Sequence, residues 1–187
     1  RGNMPPIPLG IHQRRAMQHS LETAQSSALT HRLPADFWHL PVPRHPAAPP
    51  AYDAQSAVLE PEACGSCHVQ QWQEWTASRH ARALSPGLLG QVVDLIDENP
   101  DFVGACLNCH TPLEEQIAEV KADPVAATGL SARGVTCSGC HLRQWRVFGP
   151  ASPPKRLVAS VWTGGQHGGA VASPDFNASA FCQPCHQ

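Results

Sequence analysis

Apolar positions along this chain come in short, separated bursts, and only some of the bursts have a period. Between residues 11 and 30, Met17, Leu21, Ala24 and Ala28 fall on one stripe of helical spacing, which predicts a helix there. From Leu33 to Pro61 that spacing is lost. Prolines stand at 34, 41, 43, 46, 49, 50 and 61, a pattern that predicts an extended, polyproline-like arm. Phe37, Trp38 and Leu40 interrupt the arm, so part of it is expected to dock on an apolar surface. Pro61 suits the first turn of a helix, and Trp72, Trp75 and His80 are read onto a second one. Ser85-Pro86 and Thr111-Pro112 each read as an N-cap followed by proline, the latter with Glu114 and Glu115 in its first turn. They predict helices near 86–98 and 112–122. Ser173-Pro174 is a third such start. Residues 142–170 show no clear period and are read as loop with a short hairpin.

A chain of 187 residues suits one domain with an appendage. The division expected is an N-terminal helix plus Pro-rich arm over 1–59 and a folded domain over 60–187. With 19 Pro, 14 Gly and only 15% charged residues, the expected class is mostly irregular, with short α-helices and little or no β-structure.

The cysteines change that picture, because all eight belong to one motif repeated four times. It reads Cys64-Gly-Ser-Cys67-His68, Cys106-Leu-Asn-Cys109-His110, Cys137-Ser-Gly-Cys140-His141 and Cys182-Gln-Pro-Cys185-His186. Paired cysteines at this spacing also build zinc sites or thioredoxin-like redox pairs. Neither needs His next in line every time, and four chance placements would occur about once in 10^5 such chains. Cys-x-x-Cys-His is the attachment signature of c-type haem: two thiols add to the two vinyl groups of a porphyrin, and the adjacent His becomes the proximal iron ligand. The expected cofactors are therefore four haem c groups with their iron. The cofactor-binding residues are the eight cysteines, and the proximal ligands are His68, His110, His141 and His186. About one haem per 47 residues means that the porphyrins must supply much of the interior, so the fold is expected to be haem-cored and not to form without them.

Charge and export follow from the cofactor. The apoprotein carries a formal −2. Eight propionates take this to −10 with ferrous iron, and oxidation of all four irons returns it to −6. Such a surface attracts redox partner proteins with basic faces and excludes nucleic acid as a partner. No apolar run is long enough to span a bilayer and no signal peptide is visible, so Arg1 is read as the start of a mature or trimmed chain. Thioether attachment of several haems implies a periplasmic or extracellular location.

Each iron has a second axial position, and seven histidines remain to fill four of them. Met4 and Met17 are the only thioethers, so mostly bis-His, low-potential sites are expected. His80 is the strongest distal candidate. It lies in Trp72-Gln-Glu-Trp75-Thr-Ala-Ser78-Arg79-His80-Ala81, and here the chain resembles multihaem cytochromes of the cytochrome c-554 family. Members show a W-x-x-S-x-H-A element shortly after a haem motif, its His commonly reaching another haem. Trp75, Ser78, His80 and Ala81 match that element. A second resemblance covers His167 and the downstream Phe181-Cys182-Gln-Pro-Cys185-His186-Gln187, implying that His167 is also a distal ligand. Residues 1–59 match nothing in that family. For the remaining positions His12 and His19 are favoured, since seven helical residues put them on one face about 10 Å apart. The bland alternative is that they are solvated surface residues. His31 ranks behind them, and His39 and His45, beside prolines, lower still. Trp72 and Trp75 are read as haem-packing walls, and Glu114 and Glu115 as first-turn helix residues.

Three functions compete. The first is electron transfer along a closely spaced haem row, with no catalytic residues. The second is the same row continued between copies, a homopolymer with inter-subunit haem ligation by the N-terminal arm; the short tail after His186 motivates it. The third is a fragment or subunit of a multihaem oxidoreductase of nitrite or hydroxylamine type. No Cys-x-x-Cys-Lys variant is present, which disfavours it. The chain is thus expected to be a carrier, not an enzyme.

Overall fold

The computed structural model describes residues 32–50, 52, 57–125, 128–150 and 170–186. The helix expected over residues 11–30, with His12 and His19, lies outside them. So do His31 and His167.

Six short helices are described: α1 (Pro61–Gly65), α2 (Val69–Ala77), α3 (Pro86–Leu95), α4 (Pro100–His110), α5 (Glu114–Ala122) and α6 (Cys137–His141). Proline opens three of them, where a missing N–H costs nothing. Ser85 and Asn99 cap α3 and α4 by accepting the backbone N–H groups of Leu88 and Phe102, each at 3.3 Å. Ser173 likewise caps a 3-10 turn at Pro174–Asn177. A second such turn, Ser179–Phe181, leads into the fourth cysteine motif.

Several expectations need correction. His80 is not on α2, which stops at Ala77; it opens a separate 3-10 turn, His80–Arg82. Thr111 does not cap α5. Its hydroxyl turns back to the Leu107 carbonyl at 3.2 Å, and the helix starts at Glu114 behind Leu113. Leu113 has no side-chain oxygen to offer, so Gln116 reaches back to its N–H instead, at 3.3 Å. Helix α4 was not foreseen, although Asn99-Pro100 is the same start signal as Ser85-Pro86.

The β-structure is small but present. Strands β1 (Leu142–Arg143) and β2 (Arg146–Pro150) form the expected hairpin, and β3 (Ala170–Ser173) adds to β2 in parallel, with Phe148 opposite Val171. The hairpin turn is two residues long, Gln144 and Trp145, both with positive φ (47° and 63°). Left-handed turns of this kind match the twist of the strands they join.

Packing occurs in three places. Val92, Val103, Leu107, Ile117 and Val120 close the angle between α3, α4 and α5. Val42, Leu113 and Leu130 form a smaller cluster in which the Pro-rich arm participates. Val42 bridges to Leu113, with its N–H on the Pro112 carbonyl at 2.7 Å and its carbonyl on the Glu114 N–H at 3.0 Å. The third place is aromatic: Phe37 meets Trp38, Phe148, Phe176 and Phe181 with ring centres 5.2–6.4 Å apart. The arm therefore docks, as Phe37 and Trp38 predicted.

Gln116 shows how little apolar mass holds these elements. Fully buried, it donates to the carbonyls of Leu130 (3.0 Å) and Gly134 (2.7 Å) while accepting from Leu113. Gln116→Leu keeps the volume but orphans three backbone groups. The expected loss is about 2–3 kcal/mol, measured by guanidinium unfolding of the haem-loaded protein.

Candidate functional site

The four cysteine motifs sit in different local structures. The first spans the end of α1, the second lies wholly on the last turn of α4, the third is α6 itself, and the fourth follows the 3-10 turn at Ser179–Phe181. Within the first motif, the indole of Trp72 lies directly on Gly65. A Cβ there would come within 2.5 Å of Trp72 Cγ, so only glycine permits the contact.

Long-range packing brings the motifs together in pairs. The thiols of Cys64 and Cys137 are hydrogen-bonded to each other, which lowers Cys64 and raises Cys137. Cys109 and Cys185 meet in the same way. Burial and then the Cys109 hydrogen bond push the Cys185 thiol up to about 12. Cys182 lies near enough to Cys140 to raise its thiol further, after burial has raised it most. The first motif thus neighbours the third, the second neighbours the fourth, and the third and fourth are in electrostatic contact.

Two of the motif histidines have their rings fixed by backbone carbonyls. His110 Nδ1 is 2.7 Å from the Ala83 carbonyl and His141 Nδ1 is 2.8 Å from that of Phe148. A carbonyl can only accept, so Nδ1 carries the proton and Nε2 keeps its lone pair. That is the arrangement metal-bound histidines adopt. Burial lowers His141, outweighing the Phe148 hydrogen bond, and His68 and Arg143 add to it. The shift favours the neutral ring, the form that binds metal. Phe176 stacks against it at 5.2 Å and 16°.

His80 stands across from His186, with ring centres 5.9 Å apart and planes at 60°. Metal–imidazole bonds are about 2 Å long, which places two rings flanking one metal about 6 Å apart. The turn that presents His80 is tightly tied. Its carbonyl accepts from Ala83 (3.1 Å) and from Val135 (2.9 Å), while the Ala83 carbonyl holds His110. One turn therefore serves the second motif and the fourth. Trp75 braces it from α2, donating its Nε1–H to the Val135 carbonyl at 2.7 Å.

Arg143 follows the third motif by two residues. Its guanidinium lies 4.0 Å over the Phe37 ring and donates to the carbonyls of Phe37, Gly139 and Leu142. Burial lowers it to about 10, so it remains charged at neutral pH. Its Nη2 is buried without a partner, as are Trp38 Nε1 and Trp72 Nε1. These three orphaned donors fit a group that brings carboxylates, as haem does. The donor set also suits a porphyrin, which supplies its own four nitrogens and asks the chain for one or two imidazoles.

Residues 63–142 match the family described as cytochrome c554 and c-prime. This segment is similar to the c-type cytochromes of that family. Comparison with curated proteins and with solved structures finds no match. The cytochrome segment covers less than half of the chain and contains the first three motifs; the fourth, at 182–186, lies beyond it. Haem c with its iron is the cofactor of such a cytochrome, and electron transfer is its chemistry. No helix among the described residues is long and apolar enough to cross a membrane.

Glu114 and Glu115 are first-turn residues of α5, and they do more than balance its dipole. They accept the backbone N–H groups of Arg44 (3.0 Å) and His45 (2.6 Å), stitching the arm to the helix after the second motif. Burial would raise the Glu115 carboxyl, but the hydrogen bonds from His45 outweigh it and hold it below the usual range. Sequence reasoning ranked His45 low because of its proline neighbour. Its burial was not legible.

Proposed function

We propose that the chain is an electron-transfer cytochrome with four haem c groups in a closely spaced row, on the periplasmic or extracellular side of a prokaryotic membrane. The observation that carries this reading is the pairwise convergence of the four motifs together with His80 facing His186. Bound haem iron supplies reversible one-electron chemistry between ferrous and ferric states. The chain tethers, orients and shields.

The eight cysteines are the tethers and His68, His110, His141 and His186 the proximal ligands. His80 is the distal ligand opposite His186. Neighbouring thiols support the spatial order second, fourth, third, first. Trp72 and Trp75 act as walls, their rings committed to Gly65 and Val135. The haem-cored unit runs over residues 60–187, and the described part of the arm, residues 32–50, docks on it. Its small apolar clusters and orphaned donors support that division of labour. Acidic holoprotein charge favours partners with basic faces.

His12, His19 and His167 remain proposed ligands, the first two from the same chain or from a neighbouring copy. Electron micrographs of the haem-loaded protein separate these arrangements. Fibres of constant width that disappear in His12→Ala/His19→Ala would support ligation between copies; single particles would favour a discrete carrier, with all distal ligands drawn from its own chain or one site left open. The whole reading predicts four haems per chain by pyridine haemochrome assay and no carbon monoxide binding by the ferrous protein. Carbon monoxide binding to the wild type would favour the oxidoreductase reading, which needs an open iron position.

A further inference from the structure

Arg143 is a half-buried cation beside the third motif with no anion of the chain to answer it. Its guanidinium donates to three neutral carbonyls, those of Phe37 (2.9 Å), Gly139 (3.0 Å) and Leu142 (2.6 Å). Two aromatic rings cover it, Phe37 at 4.0 Å and Trp38 at 5.3 Å. Among the described residues, no carboxylate of the chain lies within ion-pair distance of it. Taking a charge partly out of water without an opposite partner is costly, and carbonyls and ring faces offset only part of that cost.

The location of this charge gives it a use. Gly139 lies inside the motif Cys137–His141, so the 3.0 Å bond ties the guanidinium to the haem-attachment segment itself. Its field reaches the motif's second thiol and its histidine. Burial raises Cys140 and the guanidinium opposes it; burial lowers His141 and the guanidinium adds to it. Although protein crowds around His141, the residue stays exposed, which leaves surface for a macrocycle beside it. The other motifs are built differently. Two residues past the motif histidine, the first and second carry Gln70 and Pro112 in place of arginine. Glu62, beside the first, is answered by Arg133 at 3.0 Å, and both are exposed. The second motif shares the carbonyl bond on its histidine Nδ1, so that bond does not set the third apart.

We propose that Arg143 tunes the haem held at Cys137, Cys140 and His141, its fixed positive charge raising the reduction potential of that haem. This rests on the four-haem reading. Ferric haem carries one more positive charge than ferrous, so a nearby cation disfavours the ferric form whatever the orientation of the ring. In the order second, fourth, third, first, the third haem is an interior one. The guanidinium therefore favours electrons inside the row over its ends.

The test is a spectroelectrochemical titration of the full haem-loaded chain. Arg143→Met keeps an unbranched side chain without the charge and is expected to lower one midpoint potential. At a fixed applied potential the ferrous-to-ferric ratio of that haem falls about tenfold, equivalent to about 59 mV for one electron. Arg143→Lys keeps the charge and is expected to keep the potential near its wild-type value. Arg146→Met removes the same unit of charge from the exposed residue opposite on the hairpin, and is expected to move the potentials by less. His141→Met marks the third haem by changing its low-spin signal in electron paramagnetic resonance. The midpoint that falls in Arg143→Met is expected to be the one that this signal follows. Unchanged potentials in Arg143→Met, or a fall at a different haem, overturn the proposal. So does a fall in Arg143→Lys or Arg146→Met as large as that in Arg143→Met. Should Arg143→Met fail to load haem, Arg143→Gln, which can still donate to the Gly139 carbonyl, decides by the same potentials. A wild-type haem content below four refutes the four-haem reading separately, and the Arg143 comparison still runs where peptide mass spectrometry finds haem on Cys137 and Cys140. Haem missing from those two cysteines overturns this proposal as well.

Discussion

Replacing His80 with alanine converts one haem per chain from low-spin to high-spin and opens one carbon monoxide site in the ferrous protein. The effect is expected to be large because the ring facing His186 at 5.9 Å is removed outright. It is also expected to be local. The His80 carbonyl, not its ring, accepts from Ala83 and Val135, and the Ala83 carbonyl holds His110. Alanine keeps all of these bonds, so the turn stays in place and the second site keeps its ligand orientation. Loss of an imidazole without loss of fold should leave haem content unchanged. Spin state by electron paramagnetic resonance and carbon monoxide stoichiometry check both halves. Unchanged carbon monoxide binding in His80→Ala would remove His80 from the ligand set.

Gly134→Ala is the second large effect, and it acts on the backbone. Gly134 has φ +60° and ψ −134°, a region that is essentially restricted to glycine and costs other residues about 1–3 kcal/mol. A Cβ there would also stand 2.4 Å from the His80 carbonyl oxygen and 2.8 Å from the Ala83 nitrogen. Neither neighbour is a flexible side-chain end, so the turn itself must move. Strain and overpacking together suggest about 4 kcal/mol, a large part of the stability of a chain this size. The same shift moves His80, so a rise in high-spin haem should accompany the lower guanidinium midpoint. Gly90→Ala is the control. Nothing lies within 4 Å of a Cβ at Gly90 inside α3, and alanine should stabilise by about 0.5–1 kcal/mol. A Gly134→Ala protein as stable as the wild type would show that the turn tolerates displacement.

Local signals were read well where the chain announces them in adjacent residues. Pro61 and Ser85-Pro86 start helices, Ser173 caps a turn, and a hairpin stands between 142 and 150. Phe37 and Trp38 dock as their apolar rings required. Thr111-Pro112 carried the same signature and did not cap. Its threonine is the C-cap of α4, where the hydroxyl bonds the carbonyl four residues back. His80 lies off α2 because Ser78 turns extended and ends the helix before it.

The sequence alone announced the proposed covalent chemistry, since a haem-attachment motif needs only five consecutive residues and the chain carries four such motifs. What only the tertiary structure decided is which side chains face one another. His80 meets His186, Cys64 meets Cys137, and His45 is pinned by Glu115 across 70 positions of chain. The bonds that make those placements run largely through backbone groups, such as the carbonyls of Ala83, Val135 and Phe148. Every residue presents the same carbonyl, so no side-chain pattern announces which one will be used. That choice appears only when the chain has closed on itself.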